Sequence, residues 1–215
     1  MKRSSDILFA AAGLMLLAPL LLLIAVLVRA KLGSPILFRQ QRPGLHGHPF
    51  TIYKFRTMTD QQDAAGKLLP DGDRLTTFGE FLRRYSLDEL PELLNVLKGE
   101  MSLVGPRPLH MKYLPYYTVQ ERKRHAVRPG ITGWAQVHGR NYLPWDDRLA
   151  LDIWYVENRT FPLDLQILWK TIWQVLRREG VAPNPDDAET DLDQERRERG
   201  CKGGSVSVAS SGEYE

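Results

Sequence analysis

Residues 7–28 read ILFAAAGLMLLAPLLLLIAVLV, a run without a single charge near the start of the chain. A helix of roughly 20 apolar residues is enough to enter a bilayer, so this run can do so. A secretory signal has an apolar region of only about 7–15 residues, which this run exceeds, although Val28-Arg29-Ala30 loosely imitates a cleavage site. Two further readings compete. One is a straight span; the other is a re-entrant helix that dips into one leaflet and returns. Pro19 sits near the centre, where proline removes a backbone donor and clashes with the preceding turn. Spanning helices also tolerate proline. Lys2 and Arg3 precede the run, and Arg29 and Lys31 follow it. A simple span carries its basic excess on the cytoplasmic side, so two basic ends favour re-entry.

The formal net charge is +3, yet acidic residues crowd the segment after residue 180 and leave the rest strongly basic. A basic body suits nucleotides, nucleic acid or an anionic leaflet. Basic residues are not interleaved with aromatics on one face, so nucleic acid is not expected as a partner. The one cysteine, Cys201, permits no intrachain disulfide and no zinc-site spacing. The five histidines show no metal-ligand pattern, and no glycine-rich nucleotide loop is present.

Residues 35–38 and 50–55 have strand character, and residues 40–49 form a glycine-containing loop between them. Residues 60–73 read as a mobile loop. Helices are expected over residues 77–85, 91–97, 113–124, 149–157 and 165–179. The last carries a broad apolar stripe with Trp169 and Trp173. It fits a core-facing helix or one lying in the headgroup plane. The expected fold is mostly α with a small β element. Residues 1–30 form the anchor, residues 31–180 a compact membrane-associated α/β catalytic domain with interfacial amphipathic helices, and residues 181–215 a polar, disordered tail.

The densest polar segment is Arg83-Arg84-Tyr85-Ser86-Leu87-Asp88-Glu89-Leu90-Pro91. Ser86-x-x-Glu89 reads as a capping box, which satisfies free backbone donors at a helix start. A helix start also gathers positive potential and attracts phosphate, so a capping role and a chemical role for Asp88 are compatible. Alternation along a strand places Lys54 and Arg56 on one face. Two prolines stiffen the backbone around Arg107, whose guanidinium matches phosphate oxygens.

Six stretches together carry a resemblance. They are the apolar run with Pro19, Phe38-x-Gln40-x-Arg42-x-Gly44-x-x-Gly47, Lys54-Phe55-Arg56-Thr57-Met58, Ser86-Leu87-Asp88-Glu89-Leu90-Pro91, Val104-Gly105-Pro106-Arg107-Pro108 and Arg128-Pro129-Gly130-Ile131-Thr132-Gly133. In this order and over residues 2–180 the chain resembles the bacterial sugar transferases, the monotopic polyprenyl-phosphate phosphoglycosyl transferases. The resemblance implies a re-entrant anchor broken at Pro19, on the cytoplasmic face of the bacterial inner membrane. It implies an Asp88–Glu89 dyad and Mg²⁺, with Asp88 as nucleophile and metal ligand and Glu89 assisting. Lys54, Arg56, Arg83, Arg107, Arg128 and Arg140 would hold phosphate or substrate. The implied reaction moves a sugar-1-phosphate from a UDP-sugar to undecaprenyl phosphate and releases UMP. Gly139-Arg140-Asn141, Trp145 and Asp152-x-x-Tyr155 resemble small members acting on N-acetylated amino sugars such as UDP-di-N-acetylbacillosamine. UDP-glucose or UDP-galactose is the alternative donor, and self-association is left open. Outside the enzyme class, the competing readings are a non-catalytic adaptor on anionic lipid and a periplasmic protein with a cleaved leader.

Overall fold

A computed structural model describes residues 2–139, 143–177 and 191–202. The fold is mostly helical, with two small sheets. Helix α1 spans Lys2–Leu32 and stays helical through Pro19, so the expected break does not divide it in two. Its polar and small residues explain how it joins the body. Asp6 accepts from Ser102 Oγ (2.8 Å) and from the Leu103 amide (3.2 Å). Ala10 is fully buried against Val96 and Met101, and Ile24, Val28 and Leu32 pack with Phe55 and Leu82.

Strands β1 (Leu37–Pro43) and β2 (Pro49–Phe55) form an antiparallel hairpin with Phe38 opposite Lys54. The first strand therefore runs further than expected, and the turn shrinks to residues 44–48. Helix α2 (Asp71–Arg74) lies at the end of the polar loop. Helix α3 (Thr77–Arg84) is capped by Thr76, whose Oγ1 accepts from the Gly79 amide. Gly79 presses on the end of β2: a Cβ there would lie 1.8 Å from the Thr57 carbonyl oxygen. Helix α4 (Glu92–Lys98) is tied to β2 by buried Asn95, which donates to the Thr51 carbonyl at 2.7 Å.

A short parallel pair, β3 (Ser102–Val104) with β4 (Gly130–Thr132), brings two expected motifs side by side. A Cβ on Gly130 would sit 2.1 Å from the Gly105 nitrogen, so the crossing requires glycine. The helix expected over residues 113–124 is replaced by two 3₁₀ segments, Met111–Tyr116 and Glu121–Ala126. Pro115 lacks the amide that an α-helix needs there. Thr118 and Glu121 then cap each other reciprocally, at 2.7 and 3.2 Å, and start the second segment.

Helices α5 (Trp145–Asn158) and α6 (Phe161–Arg177) complete the body. Ile167 of α6 is fully buried, whereas Trp169 is 69% exposed and Leu176 is 69% exposed. Part of the apolar stripe thus turns away from the core. The expectation of a disordered tail needs correction within its described part. Residues Leu192–Lys202 form helix α7, with Leu192 buried beside Tyr113 and Trp145. Charge hid it: its acidic and basic side chains pair with the body, as in Arg196 with Glu121 (2.6 Å) and Asp146 (2.7 Å).

Candidate active site

A cavity of about 1380 Å³ opens between the hairpin, the turn before α4 and the segment after β3. Ligand pockets commonly hold roughly 300–1,000 Å³, so this one is large for a single small ligand. Ten lysine and arginine residues line it against five aspartates and glutamates. Such a surface selects for anions.

The dyad sits in a 3₁₀ turn, Leu87–Glu89, rather than at the start of α4. Ser86 adopts a left-handed conformation (φ 53°) and makes no side-chain cap, so the capping-box reading fails. Left-handed backbone is costly for a non-glycine residue and marks a turn held by its surroundings. Leu87 and Leu90, on either side, pack into the cluster of Ile24, Val28 and Phe55. The apolar anchor therefore supports the turn directly.

Glu89 accepts from Lys54 Nζ at 2.6 Å and from Arg107 Nη2 at 2.7 Å. Burial would raise its pKa, but Arg107 and Lys54 outweigh that and hold the carboxyl well below the usual range. Lys54 also faces Glu92 at 3.3 Å. Burial opposes the charge of Lys54, yet Glu89 and Glu92 together raise its pKa. Asp88 is different. It lines the cavity, is 7% exposed, and makes no hydrogen bond or ion pair among the described residues. Burial first, and Glu89 second, push its carboxyl up to about 6; Lys54, Arg83 and Arg107 pull the other way.

The structure brings Lys54, Arg56, Arg83 and Arg107 to the same cavity as the dyad. Arg56 is buried and bonds to Asp60 (2.7 Å) and to the Pro35 carbonyl (3.3 Å). Arg83 donates to Thr57 Oγ1 at 3.1 Å, a contact made possible by the close approach of α3. The Arg107 carbonyl accepts from Arg124 Nη2 (2.7 Å), and Arg124 is locked by Asp152 (2.7 Å) in a fully buried pair. Sequence reasoning missed Arg124, which belongs to no motif. Arg128 does not reach the cavity; its Nε donates to the Gly99 carbonyl at the end of α4 (2.7 Å). Arg140 lies outside the described residues.

Among the described residues no group of three or more histidine, cysteine, aspartate or glutamate side chains could hold a metal ion. Mg²⁺ seldom needs such a cage; it usually takes one or two carboxylates plus substrate phosphates. Asp88 fits that requirement, being an unpartnered carboxylate on the cavity wall. Glu89 offers less, because Lys54 and Arg107 already hold its Oε1 and leave only Oε2.

Comparison with known proteins agrees with this geometry. A family model described as "Bacterial sugar transferase" matches residues 1–178. A Bacillus subtilis protein named "Uncharacterized sugar transferase EpsL" is 55% identical over 181 residues, covering 84% of this chain and 90% of that one. The UDP-N-acetylgalactosamine-undecaprenyl-phosphate N-acetylgalactosaminephosphotransferase of Aeromonas hydrophila is 41% identical over 81% of this chain, which spans 43% of that protein. A UDP-glucose:undecaprenyl-phosphate glucose-1-phosphate transferase of Caulobacter vibrioides is 42% identical over 81% of this chain and 69% of its own length. A match across nearly the whole described body, joined to a dyad-bearing cationic cavity, places the chain in the bacterial sugar transferase family.

Proposed function

We propose that this chain transfers a sugar-1-phosphate from a UDP-sugar to undecaprenyl phosphate and releases UMP. The observation that carries the reading is the contrast within the dyad: a Glu89 held by two cations beside an unpartnered Asp88 on a cationic cavity. An Asp88 oxygen bonds to the sugar-linked phosphorus, and the bond from that phosphorus to the bridging oxygen breaks. UMP leaves with the electron pair, and a phosphosugar-aspartyl group remains. A phosphate oxygen of the lipid then takes the phosphosugar, and Asp88 is freed. Lys54, Arg83 and Arg107 stabilise the equatorial oxygens of the transferring group. Glu89 orders Lys54 and Arg107 for this task, because a carboxylate held so firmly is a poor base. Asp88 would hold Mg²⁺, which would neutralise charge on the donor phosphates.

The names of the relatives support the acceptor and the reaction class. Those names cite N-acetylgalactosamine and glucose, the name of a further relative in Salmonella typhimurium cites galactose, and none of these cites di-N-acetylbacillosamine. We therefore take an N-acetylated amino sugar as the first donor to test, with UDP-glucose and UDP-galactose beside it. The anchor is proposed to enter one leaflet at the cytoplasmic face of the inner membrane, since both of its halves pack on one body. The test is UMP release by the purified chain in nanodiscs with undecaprenyl phosphate, Mg²⁺ and a panel of UDP-sugars. One donor should give turnover that needs both the lipid and Mg²⁺, and Asp88→Asn should reduce it by at least about 10³-fold. An active Asp88→Asn protein would remove the nucleophile; lipid binding without turnover would favour the adaptor reading.

A further inference from the structure

Arg42 enters the cavity from the end of β1, opposite Phe50. Its Nη2 donates to Gln40 Oε1 at 2.6 Å. Its Nε is buried without a hydrogen-bond partner, and the side chain makes no ion pair among the described residues. Burial, and then repulsion from Arg107, lower its pKa to about 10. Arg42 is half-buried, and a cation partly removed from water and left unpaired is costly; folding tolerates it where a ligand supplies the counter-charge. Two other cations of the cavity, Lys54 and Arg124, have such a partner in the protein: Glu89 and Asp152.

The position of Arg42 limits what the ligand is. A side cavity of about 240 Å³ continues from the main one, and Arg42, Lys54, Arg107 and His110 line both. No residue of α1 borders the side cavity, whereas the main cavity reaches α1 at Arg29. A lipid-borne phosphate arrives from the α1 end. In phosphoryl transfer the leaving oxygen stands in line with, and opposite to, the attacking one, so UMP leaves from the face opposite Asp88 and the lipid phosphate later attacks from that same face. The leaving group gains negative charge as its bond breaks, so a fixed cation beside it lowers the barrier.

We propose that Arg42 and the mouth of this side cavity bind the α-phosphate of the nucleotide, the phosphate that departs as the nucleoside monophosphate. The site rests on the reaction proposed above, with Asp88 on the other side of the transferring phosphorus. Guanidinium suits the task because its planar fork matches two phosphate oxygens.

The test is calorimetric titration of UMP into the full chain in nanodiscs, comparing the wild type with Arg42→Gln and Arg42→Lys. Loss of a charge-assisted phosphate contact should weaken UMP binding roughly 10- to 100-fold in Arg42→Gln, and Arg42→Lys should recover part of it. Undecaprenyl phosphate, titrated separately, should lose no more affinity than UMP, because its phosphate attacks from the face that UMP leaves. Melting curves identify a variant that fails to fold, and Arg42→Lys then carries the comparison. UMP binding equal to wild type in a folded Arg42→Gln protein would overturn the site. So would a loss confined to undecaprenyl phosphate, which would assign Arg42 to the acceptor. Arginine-dependent UMP binding without UMP release from any UDP-sugar would support the site and overturn the reaction instead.

Discussion

Glu89 and Glu92 compete for one ammonium group, and the contest sets their charge. Lys54 lies 2.6 Å from Glu89 but 3.3 Å from Glu92. Glu89 also has Arg107, so it stays ionised. Glu92 is 2% exposed, and burial outweighs the pull of Lys54, raising its carboxyl to about 7. Between pH 4.5 and 7 the folded chain therefore keeps a proton on Glu92 that the unfolded chain releases. Stability from this group falls as pH rises through that window and is level above it. Glu92→Gln removes the penalty. Relative to wild type, the variant should gain on the order of 3 kcal/mol between pH 4.5 and pH 8. Melting temperatures of both proteins at the two ends of the window check this; a constant difference would refute it. Asp88, Lys54, Arg56 and Arg107 were legible as candidates for one cavity because short motifs carry them, and Arg83 because it stands in the densest polar segment. Glu92 was not, since an acidic residue in the first turn of a helix already has an ordinary explanation in the helix dipole. Arg42 stood in a motif, but its missing counter-ion is a property of three-dimensional packing.

At the scale of elements, the catalytic turn is placed by its neighbours more than by its own sequence. Ser86-x-x-Glu89 has the letters of a capping box, but the packing of Leu87 and Leu90 under α1 imposes a 3₁₀ turn instead. The reciprocal cap occurs at Thr118 and Glu121, where the sequence reading had a continuous helix. Local letters could not tell which of the two sites would use the motif, because the choice depends on tertiary contacts. Helix α7 escaped for a related reason: a charged segment reads as solvated until its ion-pair partners are known. The contact of α3 with β2 is the most sensitive joint. Gly79→Ala would place a methyl group 1.8 Å from the Thr57 carbonyl, so α3 must retreat. The expected cost is roughly 1–3 kcal/mol, the range for an overpacked contact. Retreat would also pull Arg83 from Thr57 and lower turnover in a protein that still folds. Glu80→Ala, on the same helix and outside the cavity lining, should leave turnover unchanged. A melting curve and a UMP assay on both variants decide the matter; normal turnover by Gly79→Ala would show that α3 does not set Arg83.

For the whole molecule, the decisive question is how a 31-residue apolar helix meets a body fastened to both of its halves. Drawn straight, such a helix is about 46 Å long and exceeds the roughly 30 Å hydrocarbon core. If it spanned, one end would emerge at the far face, roughly 30 Å from a body held on the near side, and could not keep its contacts. Yet Arg3 donates to the Val96 and Leu97 carbonyls (2.6 and 3.0 Å), Lys2 pairs with Asp164, and at the other end Val28 and Leu32 pack with Phe55 and Leu82. Between these attachments Met15 (73%), Leu16 (81%) and Leu22 (68%) are exposed, where lipid can cover them. A second apolar face, with Trp169 and Trp173 on α6, is also open, and amphipathic tryptophan favours the headgroup region. An anchor held in one leaflet satisfies all these contacts; a span breaks one set. The prediction is that both flanks of α1 stay on the cytoplasmic side. Cysteine placed singly at the exposed positions Ser4 and Ser34, with Cys201 changed to serine, reports each flank. A membrane-impermeant thiol reagent should modify neither cysteine in intact cells and both after lysis. Labelling of one flank from outside would mean that α1 crosses the bilayer, and the contacts of that half with the body would then have to be absent in the membrane.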